Sequence, residues 1–303
     1  MIEDLKAKIL ELKNKRDAII LAHYYQRPEI QEIADIVGDS YFLSEQAKDC
    51  RQSTIVFCGV KFMAESAKIL SPEKTVLFPV MDAGCPLADT ARHEDVEAFV
   101  KQYPEAAVVT YINSSTEVKA LSDVCVTSSS AEMIISNMPQ KDIVFLPDKN
   151  LGSYLSEKLP NKNFILWDGA CPIHDEVESD KILDLKNEVK GAKVLVHPEC
   201  NKDVRDLADY VGSTGGIIDF AGKSDSKYFI VVTEVGIEYQ LKLKYPSKQF
   251  HFLRESMVCH DMKKIELTHV YECLKIMKPE IGIEENTRVA AYESLMNMHR
   301  FSR

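Results

Sequence analysis

A chain of 303 residues, 45% of them hydrophobic, can bury a sizeable core, and its length alone suggests about two domains. Its 47 acidic against 37 basic residues leave a formal net charge of −10, which excludes the basic stripe that a binder of nucleic-acid phosphates needs. Small anions, which a few backbone amides can hold, are not excluded.

The N-terminal MIEDLKAKILELKNKRDA is charged throughout and amphipathic at helical spacing, so it reads as a helix and as neither a signal nor a transit peptide. No apolar run approaches the length of a membrane span, and a cytoplasmic location is expected. AIILAHYYQRPEIQEIADIVGDS (18–40) follows, then TIVFCGVKFMAESAKIL (54–70) and TVLFPVMDAGCP (75–86). The same succession returns as VVTYINSSTEVKALSDVCVTSS (108–129), DIVFLPDKNLGSYLSEKL (142–159) and NFILWDGACP (163–172). It returns again as KVLVHPECNKDVRDLADYVGSTGG (193–216), YFIVVTEVGIEYQLKLKY (228–245) and FHFLRESMVCH (250–260). Tyr111 falls 88 residues after His23 and His197 falls 86 after Tyr111, so the chain is an internal threefold repeat.

Within each unit, aliphatic runs without strict alternation suit strands buried on both faces of a parallel sheet, and amphipathic stretches between them suit helices. The expected fold is α/β: three homologous αβα units, each with a parallel sheet of about four strands, around a pseudo-threefold axis. The units are expected at 1–86, 87–172 and 173–261, with C-terminal helices 262–303 packing back on the first unit beside the N-terminal helix. Right-handed crossovers bring every βα loop to one sheet edge, where ligands bind.

Eight cysteines are present and none forms a C-x-x-C pair, which excludes a zinc ribbon or a thioredoxin-type motif. Cys85, Cys171 and Cys259 end the three units at spacings of 86 and 88 residues. Meeting at one axis, three thiolates suit a soft metal or an iron–sulfur cluster, and three ligands to four irons leave one iron open as a Lewis acid. The plainer alternative is three small buried residues in equivalent packing positions. The other cysteines, 50, 58, 125, 200 and 273, read as core or surface thiols.

The same convergence gathers His23 and Tyr25, Tyr111 and Asn113, and His197 and Glu199, which follow the first strand of each unit. Ser40, Ser128 and the pair Ser213–Thr214 start helices after the second strand, either as N-caps or as anion sites at helix N-termini. The glycines of Gly212-Ser213-Thr214-Gly215-Gly216 suggest close backbone approach to a phosphate or carboxylate. Glu199 is a candidate general base, His197 a donor to a carboxylate, and Tyr25 and Tyr111 hydrogen-bond or proton donors. Substrate positioning without proton transfer is the alternative for each.

At LAHYYQ, VGDS, GVKFMAE, CPLAD, YINSSTEVKALSDVCVTSS, PDKNLG, CPIH, VHPEC, DYVGSTGG, TEVG and MVCHDMKK the chain resembles the quinolinate synthases, the A proteins of bacterial and archaeal NAD biosynthesis, over essentially its whole length. The resemblance implies a [4Fe–4S] cluster on Cys85, Cys171 and Cys259. It implies condensation of iminoaspartate with dihydroxyacetone phosphate to quinolinate, with loss of phosphate and water. L-aspartate oxidase or aspartate dehydrogenase would supply the iminoaspartate. Ser40, Tyr111, Asn113, Ser128, His197, Ser213 and Thr214 would hold carboxylates or phosphate. His23 and Tyr25 would handle the hydroxyl and carbonyl, and Glu199 would act as base beside the open iron.

Two departures stand out. Only Cys259 occupies the place where some relatives carry a C-x-x-C-x-x-C run, which argues against a thiol–disulfide switch, and Tyr24 stands where some have asparagine. Diphthamide-type radical enzymes and isoprenoid-type reductases share a three-cysteine, triplicated design. A non-catalytic redox-sensing cluster protein is the third alternative. A dense polar lining suited to small dianions favours the quinolinate synthase resemblance over all three.

Overall fold

The computed structural model describes residues 2–253 and 256–302. Met1, Arg254, Glu255 and Arg303, which fall in the expected first unit, third unit and tail, lie outside the described residues. The aliphatic runs of the first repeat become β1 (Ala18–His23), β2 (Ile36–Gly38), β3 (Thr54–Cys58) and β4 (Thr75–Leu77). The second gives β5 (Ala107–Tyr111), β6 (Val124–Val126), β7 (Asp142–Leu146) and β8 (Asn163–Leu166), and the third β9 (Lys193–Val196), β10 (Tyr210–Val211), β11 (Tyr228–Val232) and β12 (Gln249–Phe252). Each set forms its own parallel sheet, in the orders β2-β1-β3-β4, β6-β5-β7-β8 and β10-β9-β11-β12. The three αβα units expected from the repeat are therefore present. β1, β3 and β5 are buried at every position, as strands covered by helices on both faces must be.

One device recurs in every unit. Asp35, Asp123 and Asp209, each just before a short second strand, accept the N–H of Ile20, Val108 and Val194 at 2.8, 2.8 and 2.9 Å. Their own N–H groups return bonds to the carbonyls of the same three residues at 2.9, 3.0 and 2.8 Å. A reciprocal pair thus pins each short strand to its long neighbour. Removing the side chain leaves a strand N–H without its acceptor, so Asp209→Ala lowers unfolding free energy by about 1 kcal/mol in urea titrations.

In each sheet the chain crosses from the first strand to one side and then returns to the other side with the third. The loops after those two strands diverge and open a crevice at the carboxyl ends. This is where the chemistry-bearing loops emerge.

The tail departs from expectation in its last helix. Leu267–Ile276 lies against the N-terminal helix Ile2–Lys15, but Glu285–Phe301 runs beside β6 and the helix Thr116–Ala120 of the second unit. Its buried Ala291, Ser294, Leu295 and Met298 form a helical stripe. Ser294 Oγ donates to Lys119 O at 2.8 Å and Asn297 Nδ2 to Asp123 O at 2.9 Å, while Arg288 reaches Ile69 O of the first unit at 3.4 Å. The stripe fills the gap between two units instead of extending one. No helix among the described residues is long and apolar enough to cross a membrane.

Candidate functional site

Loops of all three units open onto one cavity at the carboxyl ends of the sheets, the place where small-molecule sites form. His23, Tyr25, Ser40, Cys85, Tyr111, Asn113, Ser128, Cys171, His197, Glu199, Thr214 and Cys259 line it. Ser213 does not. Its hydroxyl is turned to the chain as the N-cap of Thr214–Lys223, accepting Gly216 N–H at 3.1 Å.

The cysteine loops are built alike. The residue two before each cysteine, Ala83, Gly169 or Met257, accepts the N–H of Lys61, Lys149 or Val235 at 2.8, 2.8 and 2.9 Å. That bond ties each loop to the residue three beyond the end of β3, β7 or β11. Burial pushes the Cys85 thiol up to about 12 and Cys259 to about 11. Burial, with Glu199 and then Cys85 nearby, drives Cys171 well above the ordinary thiol range. Backbone N–H groups of Ala88 and Leu87 face Cys85, and those of Met262 and Asp261 face Cys259. Cys171 instead has His174 Nδ1 at 3.3 Å.

Around the thiols runs a connected polar chain. Tyr25 Oη lies 2.8 Å from Thr214 Oγ1 and 2.6 Å from Thr233 Oγ1. Thr233 Oγ1 is 3.0 Å from His174 Nε2, whose ring carries Nδ1 to 2.9 Å from Glu199 Oε2. Tyr111 O–H donates to Glu199 Oε1 at 2.6 Å. Burial by itself favours the protonated Glu199, but the hydrogen bonds it accepts from His174 and Tyr111 hold its carboxyl below the usual range. Burial pushes Tyr25 and Tyr111 well above the ordinary phenol value, so both keep their protons.

His23 is driven down to about 3, by burial first and Lys263 next, and burial takes His197 to about 4. Both rings are neutral near pH 7. Each uses Nδ1 to accept the N–H two residues on, Tyr25 at 3.1 Å and Glu199 at 3.4 Å, which leaves the proton on Nε2 as a donor. Asn113 Oδ1 is buried with no partner among the described residues. That oxygen is left free to accept a hydrogen bond from a ligand or a water in the cavity.

A model of the quinolinate synthetase A protein family matches residues 7–300. The chain belongs to that family. It is 56% identical over 297 residues to a quinolinate synthase of Clostridium perfringens, covering 98% of this chain and 99% of the relative. A quinolinate synthase of Clostridioides difficile is 54% identical over 302 residues, covering 100% and 99%. One of Caldicellulosiruptor saccharolyticus is 50% identical over 301 residues, covering 99% of each chain. Full-length similarity at this level makes the chain an enzyme.

The donor set suits a metal centre of the kind a soft-ligand cluster needs. Three thiols from three units face one cavity, and each is an electrostatic neighbour of at least one other. Cys171, His174 and Glu199 also bring one ligand atom each within 4.8 Å of one another. His174 and Glu199 of that trio also bond each other directly, with Nδ1 at 2.9 Å from Oε2.

Sequence reasoning missed His174 and Thr233, the middle of the polar chain. His174 was legible only as the fourth letter of CPIH, and it has no threefold counterpart because Ala88 and Met262 stand at the equivalent distance from their cysteines. The helix starts also need correction. Asp39, not Ser40, caps Ser40–Asp49 by accepting Phe42 N–H at 3.0 Å, and Ser130 occupies the cap of Ala131–Asn137 while Ser128 stays at the cavity wall. By helix position Asp39 therefore matches Ser213, both being N-caps, and Ser40 matches Thr214. The glycines of 212–216 serve packing. A Cβ on Gly215 would meet the Asp39 carboxylate at 2.9 Å, and one on Gly212 or Gly216 would meet the Tyr210 hydroxyl at 2.4 Å. The carboxylate expected at this helix start is thus partly supplied by Asp39, which accepts Gly215 N–H.

Proposed function

We propose that the enzyme condenses iminoaspartate with dihydroxyacetone phosphate to quinolinate, releasing phosphate and water, and that Cys85, Cys171 and Cys259 hold a [4Fe–4S] cluster. One observation carries this reading. Three repeat-equivalent thiols and the polar strand-end residues share one cavity in a chain 50–56% identical to quinolinate synthases. When bound, a cluster with three protein ligands supplies a Lewis-acidic iron that polarises a carbonyl or hydroxyl.

The protein's own groups divide the remaining work. Glu199, kept anionic in a buried site, takes a proton from carbon or nitrogen of the substrate. The Nε2–H of His23 and of His197 hold carbonyl, hydroxyl or carboxylate oxygens without adding charge. Tyr25, its proton retained and its oxygen fixed by two threonines, hydrogen-bonds the substrate hydroxyl or carbonyl. The Thr233 hydroxyl lies between Tyr25 Oη and His174 Nε2, and His174 Nδ1 lies against Glu199 Oε2. Base and acid are thereby joined in one line of hydrogen bonds. Ser40, Tyr111, Asn113, Ser128 and Thr214 bind the carboxylates and phosphate, with Ser213 holding Thr214 in place. In this reading the units run 1–86, 87–172 and 173–261, with the helix Leu267–Ile276 joined to the first. An L-aspartate oxidase or aspartate dehydrogenase supplies the imine.

The test is product formation. Protein purified without oxygen, with iron and sulfide counted, is given dihydroxyacetone phosphate and freshly generated iminoaspartate, and quinolinate is read by mass spectrometry. Product is expected in proportion to iron, and chelation of the iron abolishes it. A full iron complement without quinolinate overturns the reading.

A further inference from the structure

Two segments that carry family resemblance, PDKNLG and TEVG, each contain a fully buried carboxylate that has no part in the mechanism above. Asp148 stands two residues beyond the end of β7 and Glu234 two beyond the end of β11. Asp148 accepts the N–H of Cys171 at 3.2 Å on Oδ2, and that of Leu151 at 2.7 Å on Oδ1. Glu234 accepts the N–H of Cys259 at 3.2 Å on Oε1 and that of Gly236 at 2.7 Å on Oε2, with Lys263 Nζ at 2.9 Å. Each carboxylate therefore grips two things at once: the chain just beyond its strand and the backbone of a cysteine.

We propose that Asp148 and Glu234 are positioning residues of the metal centre, each fixing the ligand cysteine of its own unit through that cysteine's N–H. The proposal rests on the assignment of Cys85, Cys171 and Cys259 as ligands. A thiol placed by its backbone can be held to a fraction of an ångström only if the loop carrying it is tied at more than one point. The backbone bond two residues before each cysteine supplies one tie in all three units, and the carboxylate supplies the second in two. In the first unit the equivalent position is Val60, which can accept nothing. There the second tie comes from elsewhere: Asp261, two residues after Cys259, accepts Gly84 N–H at 3.1 Å and binds Lys264 at 2.9 Å. The first ligand loop is thus braced against the third, and its neighbours against their own sheets. Lodging a carboxylate in a fully buried place is costly unless its bonds are needed. Here those bonds go to the two cysteine loops.

Iron release measures the effect independently of turnover. Reconstituted protein is mixed with a coloured ferrous chelator under argon, and the rate of release is compared among variants at equal protein concentration. Asp148→Ser keeps a hydroxyl that can cap Lys149–Lys158 but cannot also reach Cys171. It and Glu234→Ala are expected to release iron roughly 10–100-fold faster than the native protein. Asp148→Asn and Glu234→Gln, which keep one of the two acceptor oxygens, are expected to release iron at rates between the native one and those of Asp148→Ser and Glu234→Ala. Asp209→Ala, which loses a comparable carboxylate bond far from the cysteines, sets the effect of general destabilisation. Release from Asp148→Ser and Glu234→Ala no faster than from Asp209→Ala would overturn the proposal. So would amide variants as fast as Asp148→Ser and Glu234→Ala. Full native iron in Cys171→Ser and Cys259→Ser marks failure of the ligand assignment itself, and that result is separable from the other two.

Discussion

Serine in place of Cys85, Cys171 or Cys259 leaves a folded protein that binds little iron and forms no quinolinate. The free thiols are neutral near pH 7, because burial raises Cys85 to about 12, Cys259 to about 11 and Cys171 further. Cluster binding must therefore displace three protons from buried sulfur, which a soft metal does and a serine hydroxyl does not permit. Each unit contributes one of the three, so loss of any single thiol opens a second coordination position with no spare thiol to fill it. Cys50→Ser is the control. That sulfur is half-buried outside the cavity, 2.9 Å from Lys74 Nζ, and its loss leaves iron content unchanged. Iron and sulfide counts beside a product assay read both effects. Native iron content in any one of the three active-site variants would remove that cysteine from the ligand set.

Glu199→Gln lowers kcat by roughly 10²- to 10⁴-fold, the range that general-base removal produces, with iron content close to native. The amide keeps the volume and one acceptor for Tyr111, now 2.6 Å from Oε1, but cannot take a proton. It also breaks the pairing with His174, whose Nδ1 lies 2.9 Å from Oε2. Steady-state kinetics with metal analysis on the same sample separate the two consequences. A kcat within about threefold of native would assign Glu199 to substrate positioning and leave proton abstraction to another group.

The threefold repeat was readable because it is written in the spacing of strands, turns and cysteines, and local physics converts that spacing directly into structure. Apolar runs such as AIILA and TIVFC become fully buried parallel strands wherever they occur. His23, Tyr111 and His197 end up at the cavity because the loop after a first strand always leaves the carboxyl edge of its sheet. Cys85, Cys171 and Cys259 follow by the same reasoning three strands later, after β4, β8 and β12.

His174, Thr233, Asp148 and Glu234 were not readable in the same way. None has a full set of counterparts in the repeat, and a histidine or a carboxylate in a single loop is most often explained by its own neighbourhood. Their importance comes from contacts across units or between distant loops: His174, just past Cys171, touching Thr233 and Glu199, and Tyr25 of the first unit reaching Thr214 and Thr233 of the third. The helix does begin at Ser40 as expected, and only its cap, Asp39, was not foreseen. Serine and aspartate are both good caps, and only the backbone path decides which of two adjacent residues takes the role.

By itself the sequence determined the units, their strands and the three thiols, since each depends on interactions within about 90 residues of chain that repeat three times. Only the tertiary structure decided which side chains touch across the units, how Glu199 keeps its charge in a buried site, and that the last helix lies along the second unit. Those outcomes depend on how three independently formed sheets pack together, and hydrophobic periodicity within one unit carries no information about the distance to a side chain in another.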